Sequence, residues 1–242
     1  MNILVPMAGQ GKRFSEVGYK KPKPLIEVFD KPMIQYVIEN ILESGFVGKF
    51  IFVVLEEHKK YGVEETLREL LKDCEIVYVP SMTDGQLRSA FYAEKHIDSE
   101  EPLLIVNSDN YFVWNADDFM STMDNSDGSI LTFNDPEKRT HWSFARIEND
   151  TVTEVKEKEP ISDCCLGGAF LFRHGSDFIK YGKIVFDKKV TKNGEYYISS
   201  VFNEILLDKK VINNYNAEEM ISMGTPTELS NFINWYGANN DK

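Results

Sequence analysis

The chain has 242 residues, 42% of them hydrophobic and 27% charged, enough to bury a sizeable core in one large α/β domain or two small ones. Its net charge of −12 sets up a field that repels polyanions and argues against nucleic acid as a partner. No stretch approaches the ~20 apolar residues of a membrane span, and three cysteines, two of them adjacent at Cys164 and Cys165, give neither a disulfide framework nor a zinc pattern.

The first predicted strand is the apolar run 3–6. It is too short, and too closely followed by Arg13 and Lys20, to be a signal peptide, so a cytoplasmic protein is expected. Further strands are predicted at 49–55, 75–79 and 103–106, with helical patterns between them at 32–44, 57–72 and 85–96. Strand-helix alternation with short connections predicts a parallel, doubly wound sheet whose ligand crevice lies at the carboxyl ends of the strands. After residue 127 the texture becomes β-rich. Strands are expected at 128–133, 143–147, 151–156 and 165–172, with Asn149-Asp150 as a turn. This second half is expected to fold back across the crevice. Helices at 176–182, 197–207 and 226–236 complete the pattern, the last opened by Thr225-Pro226 as N-cap and first helical residue. We read the chain as one domain, 1–127 binding one ligand and 128–242 the other.

Chemistry concentrates near the start. Gly9 and Gly11 let the chain turn tightly and expose bare amides, while Arg13 and Lys23 supply countercharge for phosphates. Residues 12–23 hold Lys12, Arg13, Lys20, Lys21 and Lys23 against a single acid, Glu16. In an acidic protein this basic patch suits a small anionic ligand. The loop lacks the third glycine of a dinucleotide fingerprint, and the spacing and Ser/Thr of a Walker loop.

Ala8-Gly9-Gln10-Gly11-Lys12-Arg13-Phe14, with Pro22-Lys23-Pro24-Leu25 downstream, resembles the signature of the sugar-phosphate nucleotidylyltransferases, or NDP-sugar pyrophosphorylases. The resemblance implies an α/β, Rossmann-like GT-A type nucleotide-binding fold, with a mixed, mostly parallel central sheet flanked by helices and a β-rich acceptor-binding portion. Its subset is similar to bacterial capsule and surface-polysaccharide proteins, some labelled family 2 glycosyltransferases. The partners implied are an NTP and a small phosphorylated acceptor such as a sugar 1-phosphate; self-association is left open. Further stations follow in order. Gly85, in Thr83-Asp84-Gly85, matches the glycine set against the base, though a plain N-cap by Thr83 or Asp84 is the alternative. Asp109 matches the ligand of Mg²⁺, the cofactor implied. Glu157 and Lys158 match residues for sugar hydroxyls and sugar phosphate, with Glu159 intruding before Pro160. Gly168 and Glu195 match acceptor-site positions. On this resemblance Arg13, Lys23 and Lys158 are the catalytic residues, and Ala8, Gly9, Gln10, Gly11 and Gly85 bind the nucleotide.

Two departures stand out. The family's second metal-binding Asp is replaced by Ser222, a far poorer ligand for Mg²⁺, so Asp109 must act with waters and phosphate oxygens, another acid such as Glu218 or Glu219 must compensate, or the activity has changed. Pro80 stands where the family often has Gln, so base selection does not carry over. The rivals are a glycosyltransferase that uses a finished NDP-sugar and a nucleotide-binding regulator without catalysis. The four histidines are scattered. Trp142 and Phe144 suit either the acceptor pocket or strand packing, and Phe232, Trp235 and Tyr236 suit a face docking on core or partner.

Overall fold

The computed structural model describes residues 1–135 and 139–240. Thirteen strands occur among them: β1 (Asn2–Pro6), β2 (Glu27–Val28), β3 (Lys31–Pro32), β4 (Lys49–Leu55), β5 (Glu75–Val79), β6 (Leu103–Val106), β7 (Asn110–Val113), β8 (Gly128–Asn134), β9 (Ser143–Glu148), β10 (Thr151–Glu157), β11 (Cys164–Phe172), β12 (Ile212–Asn216) and β13 (Glu219–Ser222). The helices are α1 (Lys12–Ser15), α2 (Met33–Glu43), α3 (Val63–Leu70), α4 (Gln86–Phe91), α5 (Glu94–Ile97), α6 (Ala116–Ser121), α7 (Gly175–Asp187), α8 (Ser199–Leu207) and α9 (Pro226–Asn240).

Nine strands form one sheet in the order β5-β4-β1-β6-β11-β8-β12-β10-β9. The four strands predicted in the first half pair in parallel, as their unbroken apolar runs require of strands covered on both faces. Alternate residues of each strand then feed opposite layers. Ile3 and Val5 join Phe50, Phe52 and Val54 under α2, α3 and α9, whereas Leu4, Ile51 and Val53 join the core under α4, α7 and α8. Phe232 is fully buried there, edge-on to Tyr36, so the aromatic end of α9 docks on the core.

The second half extends the sheet rather than folding back over it, because β11 pairs antiparallel with β6. The sheet is also less parallel than expected: β11–β8, β10–β9 and β10–β12 are antiparallel, and of the added strands only β12 runs parallel to its neighbour β8. The reason is local. The turn Asn149-Asp150, with φ of 49° and 62°, reverses the chain in two residues, which only antiparallel pairing allows. Gly62, in the left-handed region at φ 73°, splits the expected helix 57–72 into the 3-10 segment Glu56–Tyr61 and α3. The helix expected over 85–96 breaks between α4 and α5 at Tyr92 and Ala93. Strand β12, with three asparagines in five residues, carries almost no apolar pattern and escapes sequence reading.

Candidate functional site

The carboxyl ends of β1 and β6 bring the glycine loop and Asp109 together. Gly11 stands at φ 61° and caps α1, and a Cβ on it would lie 3.0 Å from Lys23 Cβ. That close approach needs glycine. It lets the 3-10 turn Lys23–Leu25 pack against the loop, and Lys23 Nζ donates to Asp109 Oδ2 at 2.6 Å. Asparagines flank the acid. Asn107 N–H donates to Gly168 O at 2.8 Å, Gln86 Nε2 donates to Asn107 Oδ1 at 2.5 Å, and Asn110 Nδ2 donates to Gly167 O at 2.5 Å. Gly168 bends at φ 87°, and a Cβ there would fall 2.3 Å from Asn107 Nδ2. This glycine is what allows β11 to lie against the end of β6.

Three cavities meet at this point. The first, about 320 Å³, is lined by Ala8, Gly9, Lys23, Thr83, Gly85, Asp109 and Glu195. A second, about 340 Å³, contains Gly11, Arg13, Lys23, Asp109, Lys158 and Glu228. Lys23, Asn107 and Asp109 line both. The third, about 180 Å³, is lined by Asn110, Trp142, Glu157, Gly168, Tyr197 and Ser199.

Gly85 locks the first cavity to the second half of the chain. Its φ is 124°, and a Cβ would stand 2.3 Å from Tyr196 O and 2.4 Å from Tyr196 N. Tyr196 N–H donates to Asp84 O at 2.7 Å and Leu87 N–H to Tyr196 O at 3.1 Å. Neither Thr83 nor Asp84 caps α4, contrary to the alternative weighed above: the cap residue is Gly85, without a side-chain bond. Thr83 Oγ1 instead donates to Gly85 O, and Asp84 pairs with Arg88 at 3.0 Å.

Side chains build the far wall. Lys158 takes a left-handed backbone, φ 54°; its Nζ donates to the Tyr197 hydroxyl, which donates to Glu195. Burial, and then the Glu195 carboxylate, push the Tyr197 phenol well up, so it stays protonated and keeps both partners. Glu157 accepts from Ser143 Oγ and, at 2.8 Å, from Ser199 Oγ.

The floor is made by the chain after β13. Ser222 pairs with Asn110 across the β13–β7 ladder, and Met223 N–H donates to Asp109 O at 2.7 Å. A Cβ on Gly224 would meet Asp109 Oδ2 at 3.1 Å, Glu228 Oε2 at 3.2 Å and Ser222 Oγ at 3.3 Å. Three oxygens therefore gather at the bare face of residue 224, where a side chain would crowd them. They are hard donors of the kind Mg²⁺ and Ca²⁺ take, although no group of three or more His, Cys, Asp or Glu suited to a metal occurs among the described residues.

Of the residues singled out from sequence, Arg13, Lys23, Lys158, Gly9, Gly11, Ala8, Gly85, Asp109, Glu157, Gly168 and Glu195 line this connected space. Gln10 does not: it is exposed and lines none of the three. Glu195 lines the first cavity with Gly85 and is joined to Lys158 through the Tyr197 hydroxyl. Glu218 precedes β13 and Glu219 opens it, accepting from Trp235 Nε1, and neither lines any of the three cavities. The acid that faces Asp109 is Glu228. Trp142 lines two of the cavities, whereas Phe144 is fully buried packing. Sequence reading missed Asn107, Asn110, His141, Tyr197 and Glu228. A signal existed for Glu228, since Thr225-Pro226-Thr227-Glu228 has the spacing of a capping box.

A profile described as nucleotidyl transferase matches residues 3–226. Among curated relatives, the UTP–glucose-1-phosphate uridylyltransferase AglF of Haloferax volcanii is 25% identical over 228 residues, covering 88% of this chain and 86% of that one. The chain spans about half the length of some others, including 48% of the bifunctional protein GlmU of Methanocaldococcus jannaschii. Among solved structures, the nucleoside-diphosphate-sugar pyrophosphorylase of Vibrio cholerae superposes with a TM-score of 0.81 at 24% identity, covering 96% of this chain and 99% of that one. No described helix is long and apolar enough to cross a membrane. The match along nearly the whole length, on an α/β fold with a mixed sheet and the glycine loop at its strand ends, means that this chain belongs to the nucleotidyl transferase family.

Proposed function

We propose that the protein is a metal-dependent sugar-phosphate nucleotidylyltransferase, joining an NTP to a small phosphorylated acceptor of the sugar 1-phosphate class and releasing pyrophosphate. The observation that carries this reading is the Lys23–Asp109 pair, which lines two adjoining cavities at once. The nucleoside would occupy the cavity of Gly9 and Gly85, and the acceptor the space between Lys158 and Glu157.

In the reaction an acceptor phosphate oxygen forms a bond to the α-phosphorus while the bond to the β-phosphate bridging oxygen breaks. Such transfer needs positioning and charge neutralisation more than covalent help. Arg13, as a planar fork, spreads the charge of departing pyrophosphate. Lys23 holds the triphosphate, and Lys158, aligned by Tyr197, holds the attacking phosphate. Glu157, fixed by two serine hydroxyls, accepts from acceptor hydroxyls. A divalent cation such as Mg²⁺ held at Asp109 supplies further charge neutralisation. The continuous nine-stranded sheet supports reading residues 1–127 and 128–242 as one domain, and its strand-end crevice supports a GT-A type assignment. In the same reading the enzyme works in the cytoplasm and feeds surface-polysaccharide synthesis.

The test is a matrix of the four NTPs against phosphorylated acceptors, with pyrophosphate detected with and without Mg²⁺. Release that depends on both substrates and on metal is expected. Release of a nucleoside diphosphate from an NDP-sugar, with no pyrophosphate from any pair, would instead identify a glycosyltransferase.

A further inference from the structure

Two acids stand in a cavity that otherwise gathers cations. The second cavity holds Lys12, Arg13, Lys23 and Lys158 around Asp109 and Glu228. Lys23 is already at Asp109, 2.6 Å away, whereas Glu228 meets, among the described residues, the Ser222 hydroxyl at 3.2 Å and His141 Nε2 at 3.6 Å. A carboxylate aimed at bound phosphates costs electrostatic energy unless a cation lies between them.

The local geometry shows that Glu228 is directed there. Thr225 Oγ1 accepts from Glu228 N–H at 3.2 Å, which is half of a capping box. In the other half the glutamate would turn back to the cap residue; here its carboxylate reaches Ser222 Oγ instead. Ser222 Oγ in turn accepts from Gly224 N–H at 3.1 Å, so its proton is directed at Glu228. Asp109 Oδ2, Glu228 Oε2 and Ser222 Oγ all approach the bare face of Gly224, where a Cβ would crowd each of them at 3.1 to 3.3 Å.

We propose that Glu228 is the second carboxylate of a divalent-cation seat opposite Asp109, with Ser222 as the positioning residue that aims it. The proposal rests on the metal-dependent reading given above. Chain segments 109 residues into the sequence and at the start of α9 thus contribute one acid each, and Gly224 keeps the space between them open.

Mn²⁺ is the probe, followed by electron paramagnetic resonance, alone and with tripolyphosphate as a base-free polyphosphate. Glu228→Gln keeps the shape and removes the charge, and is expected to weaken Mn²⁺ binding by about tenfold to a hundredfold. Ser222→Asp in the Glu228→Gln background returns a carboxylate to the same point and is expected to restore binding. Gly224→Ala fills the space and is expected to weaken binding too; it carries the test if Glu228→Gln does not fold, as judged by its melting curve, and unchanged Mn²⁺ affinity in Gly224→Ala then overturns the proposal. Unchanged affinity in Glu228→Gln together with loss in Asp109→Asn overturns the role of Glu228 and leaves the metal-dependent reading standing. Unchanged affinity in both of those variants, or no Mn²⁺ binding by the native protein, overturns that reading and the proposal with it.

Discussion

The two walls of the crevice are built on opposite principles. The wall that carries the glycine loop and Gly85 is made of backbone, with Gly11 and Gly85 at positive φ and in near contact with Lys23 and Tyr196. The wall of Glu157, Lys158 and Tyr197 is made of side chains, already tied into hydrogen bonds through Ser143, Ser199 and Glu195. At Gly11 and Gly85 the backbone wall has no room for an added atom without a shift of its neighbours. In the proposed function the first wall would meet a ligand part common to all nucleotides, and the second a part whose hydroxyls must be told apart.

Adding a methyl to the backbone wall is the most severe way to test the contrast. Gly85→Ala puts a Cβ 2.3 Å from Tyr196 O at a φ of 124°, and is expected to cost about 3 kcal/mol in urea unfolding together with nucleotide binding. A stable, nucleotide-binding Gly85→Ala protein would show that this wall can yield. Next in size are the cations where the walls meet: Arg13→Ala and Lys23→Ala should each lower kcat by about a hundredfold with little change in melting temperature. Near-normal pyrophosphate release in both would remove them from the chemistry.

On the side-chain wall, Glu157→Gln weakens two charge-assisted bonds and should raise the KM for the acceptor roughly tenfold while leaving that for NTP unchanged. Equal effects on both substrates would mean that the walls are not separate in function. The smallest effect concerns a group outside the crevice. His58 is 3% exposed, and its Nδ1 has no hydrogen-bond partner among the described residues. Burial pushes its pKa below the ordinary 6.5. As pH falls beneath 6.5 the unfolded chain therefore takes up a proton that folded His58 resists, so stability is full above that value and declines below it. His58→Gln should flatten the fall in melting temperature between pH about 7.5 and about 5.5; an unchanged slope would assign the acid sensitivity to the carboxylates.

Much of the glycine-loop side is legible in sequence because its determinants are local. Strands β4, β5 and β6 appear at the boundaries their apolar runs predict, and Gly9, Gly11, Arg13 and Lys23 sit within one short loop and the turn after it. The second half is less legible. Strands β12 and β13 are short and partly polar, so no periodicity separates them from loop, and the antiparallel joining of β11 to β6 leaves no mark in either strand's own sequence. Tyr197 is only two residues from Glu195 in the chain, yet its bridge to Lys158 is set by the fold, where Tyr196 packs against Gly85.

By itself the sequence determined the parallel core, the glycines and cations gathered in the opening loop and Asp109 at a strand end, since each follows from residues adjacent in the chain. Which second acid lines the cavity with Asp109 was decided only in three dimensions. Ser222 marked an acid as missing, and the candidates nearest in sequence, Glu218 and Glu219, do not line the cavity of Asp109, the second being taken by Trp235. Glu228 arrives because the turn at Gly224 and the cap at Thr225 start α9 beside Asp109. That proximity belongs to the path of the backbone, and no spacing along the chain encodes it.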